Sequence, residues 1–224
     1  MKVKRSIFLW LILFIFLTTY NFNLDRYIEK SLFPIKKIQI TGINYLNKDE
    51  INLKLKKFKG KSIFIIREKK IKDTFKNFDF IQEVEIKKIY PDKILVNIRE
   101  FEPLAYFKKN NEIYLLTDTK KIIKNNKLVD IKNLPEMYGN GGEKNFHILN
   151  KSLIKIGFDK KIIEKFSYFQ INRWDIFLNN DKIIKLPVKN YEDSLKKFLS
   201  IFREEQFENF KIFDFRIEDQ LILK

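Results

Sequence analysis

Three cations, Lys2, Lys4 and Arg5, stand directly before an unbroken apolar run from Ile7 to Leu17. Few fates are open to such a run: a helix in a bilayer, an export signal that is cut away, or a helix buried in a soluble core. Positive charge kept on the cytoplasmic side would leave the amino terminus inside and send the rest of the chain outward. Ser6 to Phe22 would measure about 25 Å as a helix, a little under the roughly 30 Å hydrocarbon core. Signal cleavage needs small residues just past the apolar stretch. The residues there are Thr18, Thr19, Tyr20, Asn21, Phe22, Asn23 and Leu24, with no Ala or Gly among them. Trp10 and Tyr20 sit near the two ends, as interfacial aromatics do. We therefore read Ile7, Phe8, Leu9, Trp10, Leu11, Ile12, Leu13, Phe14, Ile15, Phe16 and Leu17 as a retained membrane anchor, with a cleaved signal and a buried soluble helix as the alternatives. The expectation is a single-pass protein, amino terminus cytoplasmic and bulk outside the membrane.

The formal charge is +16, which invites a nucleic-acid reading. The lysines are spread along the whole chain instead of forming one stripe, so attraction to anionic lipid headgroups is the milder consequence and no nucleic-acid partner is expected. With no cysteine, neither disulfides nor thiolate metal sites are available, and packing alone must hold the fold. Phe is abundant, at 23 residues, and no low-complexity tract interrupts the chain, so real cores are expected.

After the anchor, Leu24, Ile28 and Leu32 keep helical spacing up to Pro34, which predicts a stalk helix. From Ile35 the pattern becomes a strand, with Ile38 and Ile40 alternating up to Gly42. A helix follows: Asn47 can cap it, Glu50 completes a capping box, and Ile51, Leu55 and Phe58 make its buried stripe. Ile71, Phe75 and Phe78 predict a second helix. "IQEVEIKKI" and "KILVNIREF" then alternate as two strands around a turn at Tyr90, Pro91 and Asp92. The order strand, helix, helix, strand, strand places two helices over one face of a small sheet.

That order, with "KKIQITGINYLNKDEI" at its start and "YPDKILVNIREFEPLAYF" at its end, resembles a POTRA domain of the FtsQ and DivIB family of bacterial division proteins. Glu100, Pro103 and Ala105, the only alanine in the chain, fall where that family has an acidic residue, a proline and a small residue. We expect Pro103 to end the strand and Ala105 to let the next segment close against the sheet. Beyond Phe107, "EIYLLT", "KKIIK" and "RWDIFLNNDKIIKLP" read as hairpins, "YGNGGEKN" as a flexible glycine turn, "KNYEDSLKKFLSIFREEQF" as a helix capped by Asn190, and "FKIFDFRIEDQLILK" as a closing strand or bent pair. Arg173, Trp174, Asp175, Leu186, Pro187 and the closing segment resemble the second domain of alphaproteobacterial FtsQ, although the chain is shorter around residues 145–166 and the helices before Arg173 are left open. The expected fold class is α+β: a tip over 1–5, a transmembrane helix over 6–22, a stalk over 23–34, a POTRA-like β-α-α-β-β domain over 35–106, and a mixed β-domain over 107–224 with a carboxy-terminal helix and closing strand.

Material for catalysis is poor. His147 is the only histidine, so multi-histidine metal sites are excluded and a triad would have one imidazole at most. Glu100 with Glu102, and Glu204 with Glu205, read as solvated or strand-edge charges, and Trp174 as a core residue. No catalytic, cofactor or metal residue is expected, and no enzyme. The remaining activity is binding, since a terminal strand can accept a partner strand along its open edge. The resemblance implies that the closing segment, Asp214, Phe215, Arg216, Ile217, Glu218, Leu221, Ile222 and Leu223, receives the outward part of FtsB within an FtsB and FtsL complex. It also implies that the POTRA-like domain docks other division proteins at the septum. The rival readings are a POTRA-containing envelope assembly or secretion accessory protein, which would need a long series of amphipathic strands, and a secreted hydrolase.

Overall fold

The computed structural model describes residues 9–15, 33–217 and 220–224. Residues 9–15 are helical and exposed. The other anchor residues, Ile7, Phe8, Phe16 and Leu17, and the proposed stalk up to Leu32, lie outside the described residues. Among the described residues no helix is long and apolar enough to cross a membrane. The remainder divides into two units, one of residues up to Ile43 with Asn47–Arg99, the other of Asn44–Leu46 with Glu100–Lys224.

In the first unit β1 (Lys37–Thr41) leads to α1 (Lys48–Lys56) and α2 (Glu68–Lys72), followed by β2 (Ile81–Ile89) and β3 (Lys93–Glu100). The three strands lie in the order β1, β3, β2, and β1 runs parallel to β3 with Lys37 opposite Lys93 and Thr41 opposite Asn97. The alternation of β3 decides its facing: Ile94, Val96 and Ile98 are wholly buried, each worth roughly 1.5–3 kcal/mol of apolar transfer. Ile51 and Leu55 of α1, then Phe58, Ile71 and Phe75, close over that face. At the start of α1 the Asn47 Oδ1 accepts from the backbone N–H of Asp49 at 2.8 Å and of Glu50 at 3.4 Å. The second helix is shorter than its periodicity predicts, because after Lys72 the chain tightens into a 3₁₀ turn over Asp73–Phe75.

The second unit is built on a nine-stranded sheet. Its strands are β4 (Pro103–Lys109), β5 (Glu112–Thr117), β6 (Ile122–Lys124), β7 (Glu136–Tyr138), β8 (Ile163–Phe169), β9 (Arg173–Leu178), β10 (Ile183–Lys185), β11 (Ile212–Asp214) and β12 (Ile222–Leu223). They are ordered β12, β11, β10, β9, β8, β7, β4, β5, β6. Two helices, α3 (Gly142–Lys155) and α4 (Tyr191–Ile201), send Phe146, Leu149, Leu153, Leu195 and Phe198 into one cluster with Phe166, Trp174, Ile176 and Phe213 of the sheet. The ring of Phe198 meets that of Phe213 edge to face at 4.9 Å. The two helices are tied to each other through Glu192, which accepts from Ser152 Oγ and pairs with Lys155, both at 2.8 Å.

Two local readings change. Pro103 begins β4 instead of ending the preceding strand, and Ala105 lies inside β4, fully buried, where the pairing with β5 shifts register. The glycine turn is held by close packing. Gly139 has φ +101°, and a Cβ there would stand 2.0 Å from the Tyr168 carbonyl oxygen. Only glycine lets β7 come so near β8 before α3 begins. Gly157 also has positive φ, +70°, but meets nothing within 4 Å. Gly157→Ala should therefore cost about 1 kcal/mol of left-handed strain, and Gly139→Ala at least about twice as much. Urea unfolding followed by Trp174 emission in a Trp10→Phe background would measure both, and equal costs would contradict the packing account.

Candidate functional site

The sheet of the second unit ends at β12, and β12 is placed by β11. Because β11 runs parallel to β10, no tight turn can join them, and α4 lies in the crossover. The register is instead held by a side chain. Lys182, 7% exposed, donates its ammonium to the carbonyls of Phe207 at 3.2 Å, Glu208 at 2.8 Å and Phe210 at 2.8 Å. It also lies 5.4 Å from the centre of the Phe213 ring. Three donors thus meet three acceptors immediately ahead of β11.

On the sheet face away from the core, Asp175 of β9 stands opposite Lys185 of β10, and Lys185 opposite Asp214 of β11. Arg173 pairs with Asp175 at 2.6 Å. Arg216 grips Asp214 with Nε at 2.8 and 3.0 Å and with its terminal nitrogen at 2.6 Å. Charges therefore alternate across three strands. Burial pushes the Asp175 carboxyl up, with Arg173 and Lys185 opposing. The hydrogen bonds from Arg216 hold the Asp214 carboxyl below its ordinary value.

Ile212 and Lys224 exchange both backbone hydrogen bonds, Ile212 N–H to Lys224 O at 2.9 Å and Lys224 N–H to Ile212 O at 3.1 Å. Phe213 opposite Leu223 is then the next, non-hydrogen-bonded pair. Its geometry turns the N–H and C=O of Leu223 away from β11. No described strand lies beyond β12. A groove of about 490 Å³ lies between Val188 with the start of α4, Asp193 and Lys197, and the segment carrying Arg216, Ile217 and Gln220, which ends two residues before β12.

The residues expected from the sequence to bind a partner thus divide. Asp214 and Phe215 are buried, their side chains shaping the edge from beneath. Arg216, Ile217 and Ile222 are exposed, Leu221 and Leu223 half-buried, and Glu218 lies outside the described residues. Arg216 and Ile217 line the groove, whereas Ile222 and Leu223 form the edge strand. The Lys182 clamp and the contribution of Lys185 were missed. The mirrored spacings Arg173-x-Asp175 and Asp214-x-Arg216 are the signal that marks the charge ladder. Asn190 takes a left-handed φ of 55° and makes no side-chain cap. Glu100 is no solvated charge, since its carboxylate accepts the backbone N–H of Asn44, Tyr45 and Leu46 at 2.7, 2.9 and 2.8 Å. Trp174 lies in the core, 4% exposed. Among the described residues no group of acids and histidine could hold a metal ion.

Residues 33–101 match the POTRA domain, FtsQ-type, and residues 105–216 match the family described as cell division protein FtsQ/DivIB, C-terminal. The second match alone takes in half of the chain. This chain belongs to the FtsQ/DivIB family of cell-division proteins. It is similar to cell division protein FtsQ of Rickettsia bellii, 26% identical over 86% of this chain and 72% of that protein. It is also similar to FtsQ of Rickettsia felis, 23% identical over 99% of this chain and 86% of that protein. A solved extracytoplasmic domain of the division protein DivIB from Geobacillus stearothermophilus covers 46% of the chain and 92% of its own length at 12% identity and a TM-score of 0.35, a likeness too loose to fix anything further. In this family member the Lys182 clamp and β11 lie within the matched carboxy-terminal region, residues 105–216, whereas the open edge on β12 lies just past it.

Two outcomes follow. Lys182→Met should orphan three carbonyls and cost about 2–4 kcal/mol, with hydrogen exchange accelerating first at residues 211–215 and 222–224. Since Asp214 is depressed on folding, its contribution is present above the unfolded carboxyl value of about 3.9 and is lost as pH falls through and below it. Arg216→Ala should flatten that acid limb in denaturation curves and cost about 1 kcal/mol at neutral pH, a modest amount because the guanidinium is half exposed.

Proposed function

We propose that this FtsQ/DivIB-family protein is a non-enzymatic scaffold of the division septum, held in the inner membrane by Ile7–Leu17 with its two units in the periplasm. It links early and late division proteins by receiving an FtsB-like segment, within an FtsB and FtsL complex, along β12. The observation that carries the reading is the open backbone edge at Leu223, in a chain whose family works in cell division. Main-chain hydrogen bonds would supply the pairing, and the groove beside α4 would choose among side chains. Asp214, Phe215, Arg216, Ile217, Glu218, Leu221, Ile222 and Leu223 would form or support this interface, and the POTRA-type unit would offer a further docking surface to other division proteins. No reactive side chain is needed.

A proline distinguishes this reading from a side-chain patch. Leu223→Pro removes the outward N–H while leaving the Lys224–Ile212 hydrogen bonds in place. Titration calorimetry with the FtsB-like partner of the same cell should show about fivefold weaker binding or more, one backbone hydrogen bond's worth, with the unfolding midpoint nearly unchanged. Unaltered affinity would exclude strand addition, and a uniform envelope signal from a fluorescent fusion, in place of midcell bands, would exclude the septal role.

A further inference from the structure

The first unit carries a second surface that partner binding along β12 does not use. Phe33, Phe64 and Tyr90 are each about half exposed, at 49%, 56% and 56%, yet they are in ring contact. Phe33 meets Phe64 edge to face at 5.1 Å, and Phe64 stacks on Tyr90 at 4.9 Å. Three touching aromatic rings left in water form an apolar tip of the kind that marks a binding surface. The tip is fixed by backbone. Ile63 N–H bonds the Phe33 carbonyl at 3.0 Å, Ile35 N–H bonds the Lys61 carbonyl at 2.9 Å, and Pro34 bridges to Ser62.

Next to Phe64, Ile65 borders a cleft of about 400 Å³ whose walls include Lys61, Arg67, Lys69 and Lys70. None of these four cations makes an ion pair within 4 Å among the described residues. The one carboxylate in the cleft, Asp73, is held by Lys76 at 2.8 Å. Ser62 also contributes to the wall. It is 2% exposed, and its hydroxyl has no hydrogen-bond partner among the described residues. A buried donor left unmatched calls for an acceptor, and a cleft wall with four cations that make no ion pair within 4 Å among the described residues, Lys69 only adding to the field on Asp73, favours an anionic one.

We propose that this face docks on the surface of an anionic membrane, the phosphate of an acidic phospholipid seated in the Lys61–Lys70 cleft and the rings of Phe33, Phe64 and Tyr90 set among the headgroups. The proposal rests on the reading that Ile7–Leu17 stays in the bilayer. Residues 18–32 are the whole connection from that run to Phe33, so the tip can stand no farther than about 55 Å from the anchor. Tethering on that scale gives a local concentration on the order of millimolar, enough for a weak headgroup site to be occupied. Aromatic side chains at the headgroup level and lysines facing anionic lipid are what such a surface requires.

The chain has no cysteine, so a single label reports cleanly. The full chain carrying Ile65→Cys, or Ile171→Cys in the second unit as reference, is labelled with an environment-sensitive fluorophore. It is reconstituted into nanodiscs of phosphatidylcholine, with or without phosphatidylglycerol, that contain a nitroxide lipid. In acidic discs the label at 65 should be quenched about twofold or more over that at 171, and Lys69→Glu with Lys70→Glu should abolish the excess, each lysine contributing about fivefold to lipid attraction. Equal quenching at both positions, in chain that co-elutes with acidic discs, overturns the proposal. So does an excess that is the same in neutral discs, or phosphorus line broadening of inorganic phosphate by the chain without any quenching excess, which would make the cleft a site for free phosphate. A chain that fails to co-elute with discs overturns the anchor reading and this proposal with it.

Discussion

The carboxy-terminal edge depends on one buried ammonium. Parallel neighbours such as β10 and β11 are separated by a long crossover, so nothing in the local chain fixes how far β11 slides along β10. Lys182 leaves the β9–β10 turn and takes up the carbonyls of Phe207, Glu208 and Phe210, in the segment that leads into β11. A lysine this deep is normally matched by an acid. Here the match is three oxygen dipoles, which satisfy the donors and also stitch an irregular segment to the sheet. Once that segment is fixed, Phe213 falls under Phe198, Asp214 falls opposite Lys185, and β12 has a partner to fold back on.

The edge this produces is short. A long flat edge is an aggregation hazard, and brevity is one of the ways natural sheets control it. Two-residue β12 presents few outward groups, and the flanking Arg216 and Lys224 add charge. The ladder of Arg173, Asp175, Lys185, Asp214 and Arg216 stiffens the outer face behind it, so that a strand added at β12 would meet a backbone already fixed in place. Pre-ordering of this kind removes part of the entropic cost of association.

Much of the first unit was legible because its signals are local. Asn47 at the start of α1, the Ile51 and Leu55 stripe that Phe58 continues just past its end, and the alternation of Ile94, Val96 and Ile98 are short-range signals, and α1 and β3 folded as their periods require. The hairpins of the second unit were legible for the same reason. What escaped was non-local. The helix over Gly142–Lys155 was left open because glycines at its start masked its apolar period, and the constraint on Gly139 comes from Tyr168, far along the chain. Asn190 has the composition of a cap but sits in a left-handed turn that points its side chain elsewhere. Glu100 looked like a surface acid because its three partners are backbone N–H groups more than fifty residues earlier. Lys182 carried no signal at all, since nothing in a lysine's neighbours tells that it will meet three carbonyls.

Specificity without catalysis raises a question of magnitude. The two or three outward hydrogen bonds that β12 can offer contribute on the order of 1 kcal/mol each, which alone would give a millimolar complex at best. The groove beside α4 can add apolar contact through Val188 and Ile217, both of them exposed. With this chain and its partner anchored as proposed, confinement would supply what is missing. Two chains held in the same membrane search a thin layer instead of a volume, so a millimolar edge becomes an occupied one. On this account the apolar run at the amino terminus and the open backbone at the carboxy terminus form one device: the edge can stay weak enough to be safe in isolation because the membrane raises the concentration at which it is used.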